Sequence, residues 1–105
     1  MTTTISTVPP LFVMATTEEL PFGFDTTNLL GLGQTPSAPS SVLVDVNTGL
    51  TIALTGDAPS VVGNVVTQIV DGALLIAGHS FTLSVTFTVS ADTTWTMVLT
   101  INCPQ

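Results

Sequence analysis

The clearest pattern in the sequence is a strict alternation of apolar residues with serine and threonine over residues 80–90, resumed over residues 94–102. Alternation with a period of two is typical of a β-strand that has one buried and one exposed face. Because only residues 90–93 connect the two runs, they can pair only as an antiparallel hairpin. The apolar positions of the first run are Phe81, Leu83, Val85, Phe87 and Val89.

Shorter runs upstream predict further strands. Residues 42–46 and 50–54 alternate in the same way on either side of a glycine-containing turn, which indicates a second hairpin. Residues 20–25 form a short strand candidate, and residues 61–70 form another that is broken near its start by Gly63. About seven short strands separated by turn residues, with no helical period, predict an all-β fold, specifically an immunoglobulin-like Greek-key β-sandwich.

The beginning of the chain has a different character, so we expect an extended N-terminal arm over residues 1–19 and a β-sandwich domain over residues 20–105. Two adjacent prolines favour an extended conformation over a helix in this arm. Such an apolar segment either packs as the first edge strand of its own domain or lies on a neighbouring subunit by strand addition or groove binding. The residues predicted to bind a partner are Pro9, Pro10, Leu11, Phe12, Val13 and Met14.

Phe12 is the best candidate for an intersubunit anchor, because it lies in the proline-stiffened segment and outside every alternating strand. Trp95 lies in phase with the apolar positions of the last strand, so we expect it to cap the core; an anchor for a partner is the alternative interpretation.

Composition limits the functions that the chain can perform. Its 105 residues include seven acidic side chains, one histidine and no lysine or arginine, which gives a net charge of -7. Without cationic side chains we expect no binding to nucleic acid or to an anionic membrane surface. We find neither a secretory signal nor an apolar run long enough to span a bilayer, so we expect a soluble protein made in a cytoplasm. A partner would have to present a basic or neutral face.

Few residues carry chemistry, and we predict no catalytic, cofactor-binding or metal-binding residues and no enzymatic activity. His79 precedes the first long strand, where we expect a surface or packing residue. Cys103 has no cation nearby to lower its pKa, so we expect an inert thiol at the frayed end of the chain. Four aspartates fall at strand ends and turns, where local hydrogen bonds favour them; a loop Ca²⁺ site between two turns is the alternative. These aspartates are Asp45, Asp57, Asp71 and Asp92.

Residues 70–88, with the sequence VDGALLIAGHSFTLSVTFT, resemble a hairpin of small immunoglobulin-like proteins from structural gene modules of tailed bacteriophages. In those proteins an Ala-Gly-x-x-aromatic sequence starts a strand, and a final strand ends the chain. Residues 20–30 are similar to their first strand, so the resemblance covers residues 20–103. The chain departs from the pattern in lacking basic residues and in having Phe81 where tyrosine is usual, which removes a hydroxyl hydrogen bond.

This resemblance implies a virion structural protein, most simply a capsid cement or decoration protein that binds the outside of an assembled phage head and bridges capsid subunits. Its partner would be the major capsid protein or another virion protein, it would form homo-oligomers, and it would join the capsid exterior in the host cytoplasm. Oligomerisation would add avidity to each contact. The alternatives are a neck or tail accessory protein, or a cell-surface or carbohydrate-binding immunoglobulin-like module.

Overall fold

β-Branched residues account for the preponderance of strands, because threonine and valine favour pleated, half-buried surfaces. A computed structural model of the chain describes residues 2–5, 11–26, 35–54, 57–90 and 93–105, with the backbone alone described for residues 2–5 and Ser90. The strands in these ranges are β1 (Thr2–Ile5), β2 (Leu11–Val13), β3 (Glu19–Asp25), β4 (Ser37–Asp45), β5 (Thr51–Ile52), β6 (Ser60–Val62), β7 (Val65–Asp71), β8 (Ser80–Ser90) and β9 (Thr93–Asn102).

The strands form two sheets. The first sheet has the order β1-β9-β8-β4-β5, and β2 also pairs with β9, beyond the point where β1 ends. The second sheet has the order β3-β7-β6. Within the described ranges, no helix has the length and apolar character needed to cross a membrane.

The hydrophobic core lies between the two sheets, as the alternation predicts. The odd-numbered residues of β8 from Phe81 to Phe87 are fully buried, whereas the serines and threonines between them are half-buried on the opposite face. From the second sheet, Phe22, Val66 and Val70 point into the same core. The predicted all-β sandwich is therefore confirmed, and so are the two antiparallel hairpins β4–β5 and β8–β9. The immunoglobulin-like Greek-key order of strands stays a prediction.

One strand prediction was wrong. Residues 61–70 do not form a single interrupted strand, because β6 and β7 pair antiparallel across a two-residue turn at Gly63 and Asn64. Gly63 has a φ of 59°, in the left-handed region that hairpin turns of this length require. The apolar run on both sides of the glycine conceals this reversal in the sequence.

Gly72 joins the second sheet to the chain that follows β2. It begins a single turn of 3-10 helix, Gly72–Leu74, and its N–H donates to the carbonyl of Glu18 at 2.7 Å. A β-carbon at this position would collide with the backbone carbonyls of Ala15 and Glu18, the latter at 2.6 Å. Only glycine therefore allows the 15–18 turn to pack this closely on the end of β7.

Candidate functional site: an apolar strand edge beside an aromatic cavity

The part of the predicted partner-binding segment that the structure describes lies on its own sheet. β2 runs parallel to β9, with Leu11 opposite Thr100 and Val13 opposite Asn102. The N–H of Met14 continues this pairing by donating to the carbonyl of Asn102 at 3.0 Å. Pro9 and Pro10 lie outside the described residues.

The four described residues of this segment differ in what they offer a partner. Met14 is fully buried in the core, so its side chain cannot contact another molecule. Leu11 and Val13 are each 63% exposed and Phe12 is 40% exposed. No strand other than β9 pairs with β2 in the described part of the chain, so within that part the other edge of β2 is unpaired along three consecutive apolar residues. The prediction that these residues bind a partner stays a prediction.

Phe12 faces the space between the two sheets. Its ring meets the ring of Phe22 edge-on, with centroids 5.2 Å apart and planes inclined at 71°. This geometry is a preferred arrangement of two aromatic rings. The contact joins β2, at one side of the first sheet, to β3, which is an edge strand of the second sheet.

A cavity of about 210 Å³ opens beside these two rings. Cavities that hold drug-sized ligands measure roughly 300–1,000 Å³, so this one is suited to one or two apolar side chains. None of its described lining residues is ionisable, and binding there would be driven by burial of apolar surface. Its lining residues are Phe12, Pro21, Phe22, Gly23, Phe24 and Leu99.

Sequence reasoning missed a pair of ionisable side chains at the end of β4. His79 Nδ1 lies 2.8 Å from Asp45 Oδ2, and the carboxylate of Asp45 is buried although the His79 ring is partly exposed. The other oxygen of Asp45 accepts hydrogen bonds from the N–H groups of Asn47 and Thr48, at 2.9 Å and 3.3 Å. The pair thus ties the turn after β4 to the start of β8, a structural role more specific than the packing role expected for His79.

The environment of Asp45 stabilises its charged form. Desolvation by burial would by itself raise the pKa of Asp45. The hydrogen bond from His79, the two backbone N–H groups and the charge of His79 together outweigh burial, so the pKa lies below its ordinary value of 3.8. A carboxyl whose pKa is lowered on folding stabilises the protein above its unfolded pKa, and this contribution is lost as the pH falls through the folded value.

Replacing Asp45 by asparagine should therefore lower the free energy of unfolding at pH 7, with a smaller loss as the pH approaches 3. The substitution keeps the size of the side chain and removes the charge that the pKa shift depends on. Urea unfolding of the wild type and of Asp45→Asn at several pH values between 3 and 7 measures the difference. A difference that does not vary with pH would contradict this account of the pair.

Cys103 does not lie at a frayed end, which corrects the expectation from its position near the C-terminus. Its side chain is fully buried, its N–H donates to the His79 carbonyl at 3.0 Å, and its carbonyl accepts from Gly78. Burial raises the pKa of the Cys103 thiol. The same two backbone hydrogen bonds hold the last residues of the chain beside the start of β8.

The remaining candidate residues serve the fold. Trp95 is half-buried and packs against the core, which confirms its predicted capping position. In the described part of the chain no three His, Cys, Asp or Glu side chains form a group that could hold a metal ion, and Asp92 lies outside that part. Comparison with protein-family models, with curated proteins and with solved structures finds no match to this chain.

Proposed function

We propose that the protein is a non-enzymatic structural protein that binds another protein through β2 and the aromatic cavity. The observation that carries the proposal is the open edge of β2, where Leu11, Phe12 and Val13 are all exposed beside a cavity of side-chain size. A strand edge with unpaired backbone groups and apolar side chains is a ready template for pairing with another chain.

The geometry suits recognition by strand addition. A strand of the partner would hydrogen-bond to the free backbone groups of β2, which supplies affinity with little dependence on sequence. Specificity would come from one apolar side chain of the partner, inserted between Phe12 and Phe24. Leu11 and Val13 lie on the other face of β2. They would contact the part of the partner that lies along the outside of the first sheet.

Charge restricts the partner further. The chain has a net charge of -7 and no lysine or arginine, so it can offer no cation to an acidic surface. A neutral or basic protein surface is therefore the favourable partner, and association with a basic one would slow as the salt concentration rises.

The resemblance to small structural proteins of tailed phages suggests which assembly provides that surface. On that basis we propose a capsid cement protein that binds the major capsid protein on the outside of the assembled head and bridges neighbouring subunits. A neck or tail accessory role is the alternative from the same resemblance. Copy number per particle separates the two, because cement proteins cover a whole lattice whereas a neck or tail ring contains few copies.

The proposal is tested by counting the copies of the protein that bind to purified heads of the virus that encodes the chain. The variant Val13→Ser and the cavity variant Phe12→Ala should each reduce the number of bound copies about tenfold or more, because each removes an apolar contact at the centre of the interface. Val62→Ser is the matched control, since Val62 is also an exposed valine, 74% against 63% for Val13, and lies on the far edge of the second sheet. Equal occupancy for all these proteins, or no binding by the wild type, would refute the proposed site.

A further inference from the structure

The outer face of the first sheet consists of hydroxyl-bearing and aliphatic residues. The registers between β4, β8 and β9 place these side chains together on the face turned away from the core. Among the described residues of this face, none is ionisable. We call it the threonine face, and its members are Ser40, Val42, Val44, Thr82, Ser84, Thr86, Thr88, Thr94, Thr96, Val98 and Thr100.

One pair of hydroxyl groups on the threonine face has its hydrogen-bond partner on the face itself. Thr86 and Thr96 lie opposite each other across β8 and β9, with their Oγ1 atoms 2.9 Å apart. Thr82 and Thr100 are another pair of threonines at opposite positions in the register of these strands. Hydroxyl groups that are already hydrogen-bonded lose little when water leaves the surface, whereas unpaired ones carry a desolvation penalty. Burying the Thr86–Thr96 pair therefore carries a smaller desolvation penalty than burying unpaired hydroxyl groups, and Val42 and Val98 add apolar area.

The described side-chain carboxylates all lie elsewhere, and some lie close together. Glu19 and Asp71 are directly opposite each other in the register of β3 and β7, and Glu18 precedes Glu19 in the chain. Like charges opposite each other across strands are destabilising. The chain contains no lysine or arginine, so a second copy could not neutralise these groups. Two copies that met through the outer face of the second sheet would bring further carboxylates together.

The threonine face avoids this repulsion and is large enough for a weak dimer. β8 has 11 residues, so the face is about 36 Å long at about 3.3 Å per residue. The three strands that carry its members, β4, β8 and β9, make it about 14 Å wide, which gives an area of about 500 Å². A standard interface buries about 800 Å² on each partner.

We propose that two copies of the chain dimerise by packing their threonine faces together. Sheets pack face to face in this way inside β-sandwiches, at a distance of about 10 Å. The aromatic cavity opens between the two sheets, and Leu11 and Val13 lie beyond β9 at the border of the threonine face, so both would stay accessible in the dimer. The inference does not depend on the proposed function, because the dimer forms from the purified chain without any other partner.

Sedimentation of the purified protein between about 1 and 200 µM tests the dimer. We expect a species of twice the 10.8 kDa chain mass at the upper concentrations. Association should strengthen between 50 and 500 mM NaCl, because salt screens the repulsion between two acidic copies. A wild type that stays monomeric over the whole range, or a dimer that salt dissociates, would overturn the proposal.

Substitutions that introduce a charge on the threonine face test whether the dimer contact lies there. Thr82→Glu should raise the dimer dissociation constant at least tenfold, because each copy would bury an unpaired carboxylate in the contact. Thr67→Glu is the matched control: Thr67 is also a half-buried threonine on the middle strand of a sheet, and it faces outward from the second sheet. Circular dichroism checks folding, and Ser84→Lys replaces Thr82→Glu if the latter does not fold. Equal effects of Thr82→Glu and Thr67→Glu, or none from any variant on the face, would place the contact elsewhere.

Discussion

Replacing Gly72 by alanine should destabilise the protein by about 3 kcal/mol or more, because a β-carbon there has no space. The atoms it would meet are the backbone carbonyls of Ala15 and Glu18, which cannot rotate away as the end of a side chain can. Relief requires the 15–18 turn to move off β7, which also breaks the hydrogen bond from Gly72 N–H to Glu18. Urea unfolding followed by the fluorescence of the single tryptophan, Trp95, measures the loss.

Gly23→Ala is the matched control for this substitution. Gly23 lies in edge strand β3, and a β-carbon there would meet the side chain of Val65 at 3.4 Å, an ordinary contact distance. Because glycine within a strand is itself unfavourable, Gly23→Ala should change stability by less than about 1 kcal/mol. If Gly72→Ala were as stable as Gly23→Ala, the close packing of the 15–18 turn on β7 would be wrong.

Replacing Met14 by alanine should destabilise the protein by about 2–5 kcal/mol, the range for removing most of a buried methionine side chain. Met14 is fully buried, and its N–H extends the pairing of β2 with β9. The neighbouring substitution Val13→Ala should have an effect below about 0.5 kcal/mol, because Val13 is exposed. The same unfolding measurement compares the two variants.

The contrast between Met14 and Val13 also distinguishes the core residue from the exposed residue in the segment after Pro10. If both substitutions were neutral, residues 11–14 would not be part of the folded sandwich, and the description of β2 as an edge strand would fail. The contrast further shows that the segment cannot be deleted through Met14 without removing a core side chain. Point substitutions at exposed positions are therefore the appropriate test of its binding role.

The elements that the sequence predicts best are those whose signal is local. The β8–β9 hairpin follows from uninterrupted alternation and a short connection, and every buried residue of β8 falls where the pattern places it. The pairing of β2 could not be predicted in this way, because its partner lies about 90 residues further along the chain. An apolar segment of three residues fits its own sheet and a neighbouring subunit equally well on sequence grounds.

Long-range contacts also explain what was missed at the candidate site. The His79–Asp45 pair joins residues 34 positions apart, and it arises only because β4 and β8 pair with Asp45 opposite Phe81. The aromatic cavity needs Phe12 and Phe22 from different sheets. The aromatic residues themselves were visible in the sequence, but their contact depends on how β2 and β3 lie beside each other. Composition, by contrast, showed at once that no lysine or arginine was available to pair with the carboxylates.

A cryo-electron microscopy reconstruction of the proposed phage particles tests the central claim most directly. We predict density for the sandwich on the outside of the head, with β2 and Phe12 in contact with a capsid subunit. Particles that lack the protein, or that carry it with β2 turned to solvent and another surface against the shell, would contradict this account.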